Sequence, residues 1–454
     1  MRVFAMELFT KLFGDLLLFV YHGFDRIVIH GYLSGLSRPE QVVYFFRKVV
    51  GVAVLSKEIL SQRTAEYQNW VEAFARNHNI PVEWAEKGVR KEDYVLPWLR
   101  RMTKRNAYGV YFIFKSMEQG PTFRVSVPKY PTKDPNHRIL ARQRSRFTHD
   151  YFYIRDEVLG PMVMRVATFF PFQTTYYLNG HSFIEQELNR AQVGFRKNDN
   201  AFLAVDDVAA LQAAADKLSP DIIRERLDYW TLILGPKFSV KERRRVKLSR
   251  FYAISQIEYC RNFIFKRNFP IHKLFERGCE LGLWRLTAHK IAEIFGARLH
   301  RRLPGKLATV IDQIEHGHHV FRAYFKHAFL KQYEKFATFL RNELAPTTST
   351  TSASKRDWTI SMPSARRSKS SPAASLASRP SGLTFTSTSL FCSGLRCRST
   401  SARSAIPASK STTGESFASS RFSCMAVLTS AAGPPRTSTN PSSPPSVSPN
   451  DLMA

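Results

Sequence analysis

Apolar and polar positions follow one rhythm up to about Val205 and a second one after it. "FDRIVIHGYL" (Phe24–Leu33) is β-branched, compact and closed by Gly31, which predicts a strand. The apolar run ahead of it, "LFGDLLLFV", is interrupted by Asp15 and too short to span a bilayer, so it reads as a buried helix feeding that strand. Residues 38–79 have helical spacing with Trp70 and Phe74 on the apolar side, and Pro81 ends them. Ala107–Val127 reads as two strands joined by a Gly-Pro turn, and Asp150–Phe172 repeats the plan with Gly160-Pro161 as the turn. "NGHSFIEQELNR" opens a helix, with Ser182 and Glu185 at capping-box spacing, and a short strand follows near Asn200–Val205. From 206 to 345 the spacing is almost wholly helical. The expected class is α+β: a mixed α+β domain over 1–205, then an α-helical subdomain over 206–345.

At Pro346 the character breaks. Residues 346–454 hold 29 Ser and 11 Pro with little apolar periodicity. Such a stretch cannot bury enough surface to offset its ordering entropy, so the sequence predicts a disordered C-terminal tail. Natural Ser/Pro-rich tails exist, but coding favours a slipped frame. Read from the third base of codon 410, Lys410–Leu428 permits "IHDRRIIRLLEVLLHGGT", a string with helical apolar spacing and a Gly-Gly stop. A frameshift near codon 345 accounts for both observations.

Charge separates along the same line. The formal net charge is +30; the tail contributes 12 Lys/Arg against 3 Asp/Glu, which leaves 55 against 34, or +21, on residues 1–345. An excess on the part that can fold points to a polyanionic partner, because neutralising phosphates releases counterions. Cys260 and Cys279 are the only cysteines before the break, which excludes a disulfide framework or a cysteine-based zinc site and fits a cytoplasmic, non-membrane protein.

At "FFPFQTTYYLNGHSFIEQELNR", "GFRKNDNAFLAV" and "YEKFATFLRNEL" the chain resembles a widespread family of uncharacterised bacterial proteins, over about residues 20–345. The resemblance implies no established activity. It does imply a further helical segment leading into a winged-helix module downstream, which the "IHDRRIIRLLEVLLHGGT" reading matches; this sequence departs from the family at the break.

Acidic residues supply the first candidate site. Asp25 opens the first predicted strand, and Glu334 and Glu343 fall on the last predicted helix; such carboxylates can converge to hold Mg²⁺ for phosphoryl transfer. The spacing at "YEK…LRNE" also resembles the pattern of rolling-circle replication initiators. Carried across, Glu334 and Glu343 are metal ligands and Tyr333 is the nucleophile. The plain alternative makes Glu334 and Glu343 solvated helix charges and Tyr333 a core residue.

Basic stretches supply the rest. "LTAHKIAEIFGARLHRRLPGKLATVI" (Leu286–Ile311) has the layout of a helix-turn-helix carrying Arg298, Arg301, Arg302 and Lys306, although Pro304-Gly305 interrupts the second helix and a helical hairpin fits as well. Arg142, Arg144 and Arg146, and Arg243, Arg244 and Arg245, stand near Phe147, Tyr151, Tyr153, Phe251, Tyr252 and Phe263, a mixture suited to backbone binding and base stacking; aromatics at that spacing also build cores. "EHGHH" (Glu315–His319) with His327 offers imidazoles for a transition metal, but lacks a completing pair. The resulting expectation is a DNA-binding protein of mobile-element type, replication-initiator-like or transposase-like and Mg²⁺-dependent. A non-catalytic DNA- or RNA-binding protein with structural acids is the alternative, and a basic scaffold for an acidic protein the third reading.

Overall fold

A computed structural model describes residues 14–346, apart from 87–89, 131, 247, 249, 268, 289–306, 313–319, 326–327 and 337. Its strands are β1 (Leu17–Leu33), β2 (Val82–Trp84), β3 (Gly109–Ser126), β4 (Ile139–Asp156), β5 (Gly160–Ala167), β6 (Thr174–Asn179), β7 (Phe195–Asn198), β8 (Ala201–Val205), β9 (Arg250–Phe265), β10 (Ala308–Asp312), β11 (Val320–Phe325), β12 (Ala328–Lys335) and β13 (Phe339–Pro346). The helices are α1 (Pro39–Tyr44), α2 (Lys57–Asn77), α3 (Lys91–Lys104), α4 (Gly180–Arg190), α5 (Val208–Asp216), α6 (Pro220–Leu234), α7 (Val240–Arg245) and α8 (Phe269–Arg285). Eleven strands make one sheet in the order β10-β11-β12-β13-β9-β1-β6-β5-β4-β3-β2, and β7 pairs with β8 apart from it. Among the described residues only β2 against β3 is parallel; the other ladders are antiparallel.

The α+β class holds, and β1 sits near the middle of the sheet. One face of the β1–β6–β5–β4 region packs on α2, α6 and the Phe45–Val50 π-helical turn through Ile27, Ile29, Phe152, Met164, Tyr176, Val71 and Leu227. Nearer β9 and β13, β1 is covered by α4 and α5 through Tyr21, Ile184, Leu188 and Leu211. Helix α3 covers Phe112, Tyr153 and Val163, and α8 covers Phe263, Phe321 and Leu340.

Several expectations are corrected. Residues 14–23 do not continue a helix into the strand: after a short 3₁₀ turn at Gly14–Leu16, β1 begins at Leu17, because its alternation already buries Leu17 and Phe19. Gly120-Pro121 is no turn either. Both lie inside the single strand β3, opposite Ser145 and Arg144, and the Phe147 ring occupies the space a Cβ on Gly120 would need, 2.8 Å away. The hairpin expected at Gly160 does form, with Gly160 at φ +73. Helix α4 is capped by the Asn179 side chain rather than by a Ser182–Glu185 box.

The largest correction concerns 206–345, which is not an α-helical subdomain. Helices α5 to α8 are present, but β9 and β10–β13 supply five strands of the main sheet, and β9 pairs with β1 along most of its length. Strands from before and after residue 205 therefore share one sheet. Of the predicted helix-turn-helix, residues 308–311 belong to strand β10 rather than to a helix, and 289–306 lie outside the described residues, as do the "EHGHH" run, His327 and the tail from 347.

Candidate functional site

Alternate residues of a strand share one face, and the register of four adjacent strands brings their polar members into rows. Tyr333 of β12 stands opposite Arg341 of β13, Arg341 opposite Asn262 of β9, and Asn262 opposite Tyr21 of β1. The next row is Lys331, Glu343, Cys260 and Gly23. Glu258 follows on β9, and Asp25 on β1, where the β1–β9 ladder slips register between Phe24 and Ile27. The result is a group of three carboxylates, Asp25, Glu258 and Glu343, whose ligand oxygens all lie within 4.8 Å of one another. Three carboxylate oxygens suit a hard divalent cation, and these residues could hold a metal ion.

Asp25 is fixed from every side. Asn179, the cap of α4, donates to Oδ1 at 3.2 Å, and Asn200 donates to both oxygens at 2.7 and 2.8 Å. The Arg341 guanidinium reaches Oδ2 at 3.1 Å while its other nitrogens donate to Asn262 Oδ1 and to the Asn200 carbonyl, each at 2.6 Å. His181 Nδ1 lies 3.6 Å from Oδ1. Burial would push the Asp25 carboxyl upward, but Arg341, His181 and Asn200 together hold it far below the usual carboxylate range. Burial drives His181 down to about 4, so the ring is neutral at pH 7. Lys335 reaches across from β12 to Asn200 Oδ1 at 2.7 Å and to Asp199, tying the turn before β8 to the same network.

Glu343 accepts the Tyr333 hydroxyl at 2.6 Å and Lys331 Nζ at 3.2 Å. A phenol donating to a carboxylate that an ammonium orients is the geometry of a nucleophile with its base. Burial lifts Tyr333 well above its ordinary value, with Arg341 opposing and Glu343 adding, so this phenol stays protonated until a base takes its proton. Glu258 differs from both neighbours. It is half-buried, accepts from Gln256, and has no ion pair among the described residues. Desolvation first, and then Glu343 and Asp25, push it up to about 7 against the pull of Arg26 and Lys331. Arg341 and Lys331 balance Asp25 and Glu343, so Glu258 is the member left to take a proton or a cation.

Cys260 completes a Cys–His–Asp alignment, with Sγ 3.8 Å from His181 Nε2. It is fully buried, and burial lifts its thiol to about 12, which leaves it inert as a nucleophile.

Of the expected acidic residues, Asp25, Glu343 and Tyr333 meet at this site. Glu334 does not. It sits on strand β12 rather than on a helix, so it points away from its neighbour Tyr333, toward α8, with its Oε1 3.6 Å from His272 Nδ1. Its assignment as a metal ligand beside Asp25 is corrected on that ground. Glu258 was missed by sequence reasoning. Arg142, Arg144 and Arg146 lie exposed on β4, and Arg243, Arg244 and Arg245 lie exposed on α7. Of the aromatics expected to stack beside them, Tyr151, Tyr153, Tyr252 and Phe263 are buried core residues, while Phe147 and Phe251 are half-buried. Arg298, Arg301, Arg302 and Lys306 lie outside the described residues.

No family model matches the chain, and no curated protein matches it. The geometry of the site alone carries the functional reading. No helix among the described residues is long and apolar enough to cross a membrane.

Proposed function

We propose that the protein transacts nucleic acid, DNA in preference to RNA, with Asp25, Glu258 and Glu343 taking Mg²⁺ for chemistry at a phosphodiester in the manner of a replication initiator. The observation that carries this reading is the convergence of three carboxylates and one phenol from four strands on a single point. The metal would neutralise charge on the phosphoryl oxygens. Tyr333 attacks phosphorus as Glu343 accepts its proton; a Tyr333 Oη–P bond forms and the P–O bond to the departing strand breaks. Glu258, ionised as a metal ligand beside Asp25 and Glu343, has no proton to give, so the leaving oxygen takes its proton from solvent. The +21 charge on residues 1–345 supports a polyanionic substrate.

One observation favours a second reading, non-catalytic binding with structural acids. Asp25 already accepts from Asn179, Asn200 and Arg341 and needs no ion to be satisfied. Nicking of supercoiled DNA separates the two. The catalytic reading expects Mg²⁺-dependent nicking, abolished by chelation and lowered on the order of 10²-fold or more in Glu258→Gln, with a covalent protein–DNA adduct that Tyr333→Phe cannot form. DNA binding with no nicking under any divalent metal leaves the structural reading in its place.

A further inference from the structure

We infer that a hollow beside α1 is a pocket for an unpaired nucleobase, served by two arginine runs that bind the backbone on either side of it. The inference rests on the nucleic-acid reading above and places the strand on the molecule.

Arg142, Arg144 and Arg146 alternate along β4, so they project from one face at steps of about 6.8 Å, and all three are exposed. Arg243, Arg244 and Arg245 are exposed at the end of α7. The two runs are far apart in sequence but border the same segment, Ser34–Val50: Arg142 donates to the Ser37 carbonyl at 2.7 Å, and Arg245 to the Lys48 carbonyl at 3.4 Å. The arginine ion pairs among the described residues fall on other arginines, and none holds any of these six. Two sets of uncompensated guanidinium groups flanking one segment are suited to phosphates.

Between them lies a hollow of about 410 Å³ lined by Gly35, Glu40, Gln41, Tyr44, Arg245 and Val246, a size that admits a nucleotide. Tyr44 is 57% exposed at its wall. A tyrosine face stacks on any base. Gln41 Oε1 is occupied by the Arg38 amide at 3.1 Å and the Ser37 hydroxyl at 3.2 Å, which leaves its Nε2 as a donor. Glu40, exposed, is an acceptor. A donor and an acceptor lining one hollow suit a base edge carrying both a carbonyl and an N–H. Watson–Crick pairing would occupy that edge, so the occupant is single-stranded. Leu33, the residue before this segment, is eight positions along β1 from Asp25, roughly 27 Å at strand rise. A few nucleotides bridge that distance.

The test is fluorescence anisotropy with a mixed-sequence single-stranded oligonucleotide and its duplex, over a salt series, using the full chain. Tyr44→Ala should weaken single-strand binding roughly tenfold or more and leave duplex binding unchanged, while Tyr44→Phe keeps wild-type affinity. Replacing Arg142, Arg144 and Arg146 by Gln should reduce the single-strand salt slope by about 2. Wild-type affinity in Tyr44→Ala, with the arginine variant weakened, overturns the pocket and leaves the nucleic-acid reading standing. Absence of any binding by the wild type at low salt overturns both.

Discussion

Arg341 and Arg144 are the same residue type in opposite circumstances. Arg341 is fully buried, with Asp25, Asn262 and the Asn200 carbonyl around its guanidinium, whereas Arg144 is exposed on β4 and forms no ion pair among the described residues. The acid cluster is a region where charges were taken out of water and matched; the arginine margin is one where charges were left in water unmatched. Removing a charge should therefore damage the fold at the first site and the affinity at the second. A net charge alone cannot tell these roles apart.

The strongest test of that contrast is Arg341→Met. It leaves Asp25 buried without its cation, and an uncompensated buried charge costs about 3–5 kcal/mol. Urea unfolding measures it, and a loss below about 1 kcal/mol would break the contrast. The double variant with Asp25→Asn should lose less than the sum of the single losses, since the two residues share one interaction.

Glu343→Gln comes next. It removes a carboxylate that accepts from Tyr333 and Lys331 at 1% exposure, at a cost of about 1–3 kcal/mol. Glu334→Gln, beside His272 on the opposite face, should cost clearly less. Equal losses would contradict the separation of the two faces of β12.

A third test uses pH. Glu258 is raised from 4.5 to about 7, so the native state holds its proton more tightly than the unfolded chain. That contribution is fully present below about pH 4.5 and is lost as pH rises through 7. Asp150 contributes with the same sign. Both its oxygens are buried without a hydrogen-bond partner, and burial pushes it up to about 7 while its cross-strand neighbour Lys115 turns to Glu72. Glu258→Gln should flatten part of the fall in stability between pH 4.5 and 7.5, and Asp150→Asn another part. Mg²⁺ at 100 times its dissociation constant should restore about 2.7 kcal/mol above pH 7 in the wild type and nothing in Glu258→Gln. An identical pH slope in all three proteins rules out Glu258 as the unbalanced member.

The smallest expected effect is on the margin. Replacing Arg142, Arg144 and Arg146 by Gln should change unfolding stability by no more than about 0.5 kcal/mol, even as nucleic-acid binding falls. A larger loss means that the run supports the fold.

The later part of β1, much of β3, the end of β4 and β5 could be read from the sequence because their inward positions are largely apolar, as in "FDRIVIHGYL". Strand β9 hid for the opposite reason. Its positions facing α4 and the acids are Glu258, Cys260 and Asn262, so the site's own polarity erased the alternation that marks a strand. Strand β12 was disguised differently: Phe329, Leu330, Tyr333 and Phe336 fall at intervals a helix would also use. Asp25, Tyr333 and Glu343 could be named from residue type and spacing, but which of Tyr333 and Glu334 faced the acid depended on the strand. Glu258 had no such signal, because its role comes from a ladder between β9 and β13 that no local pattern reveals.

Asp25 and Arg341 are separated by 316 positions. At a synthesis rate of about 5–20 residues per second, the acid of the central strand waits some tens of seconds for its cation. During that interval Asn179 and Asn200 are already available to donate to its carboxylate, and the guanidinium that completes the set arrives with β13, on the far side of β9 from β1. The cation that balances the central strand's acid is thus among the last groups of the described residues to be made.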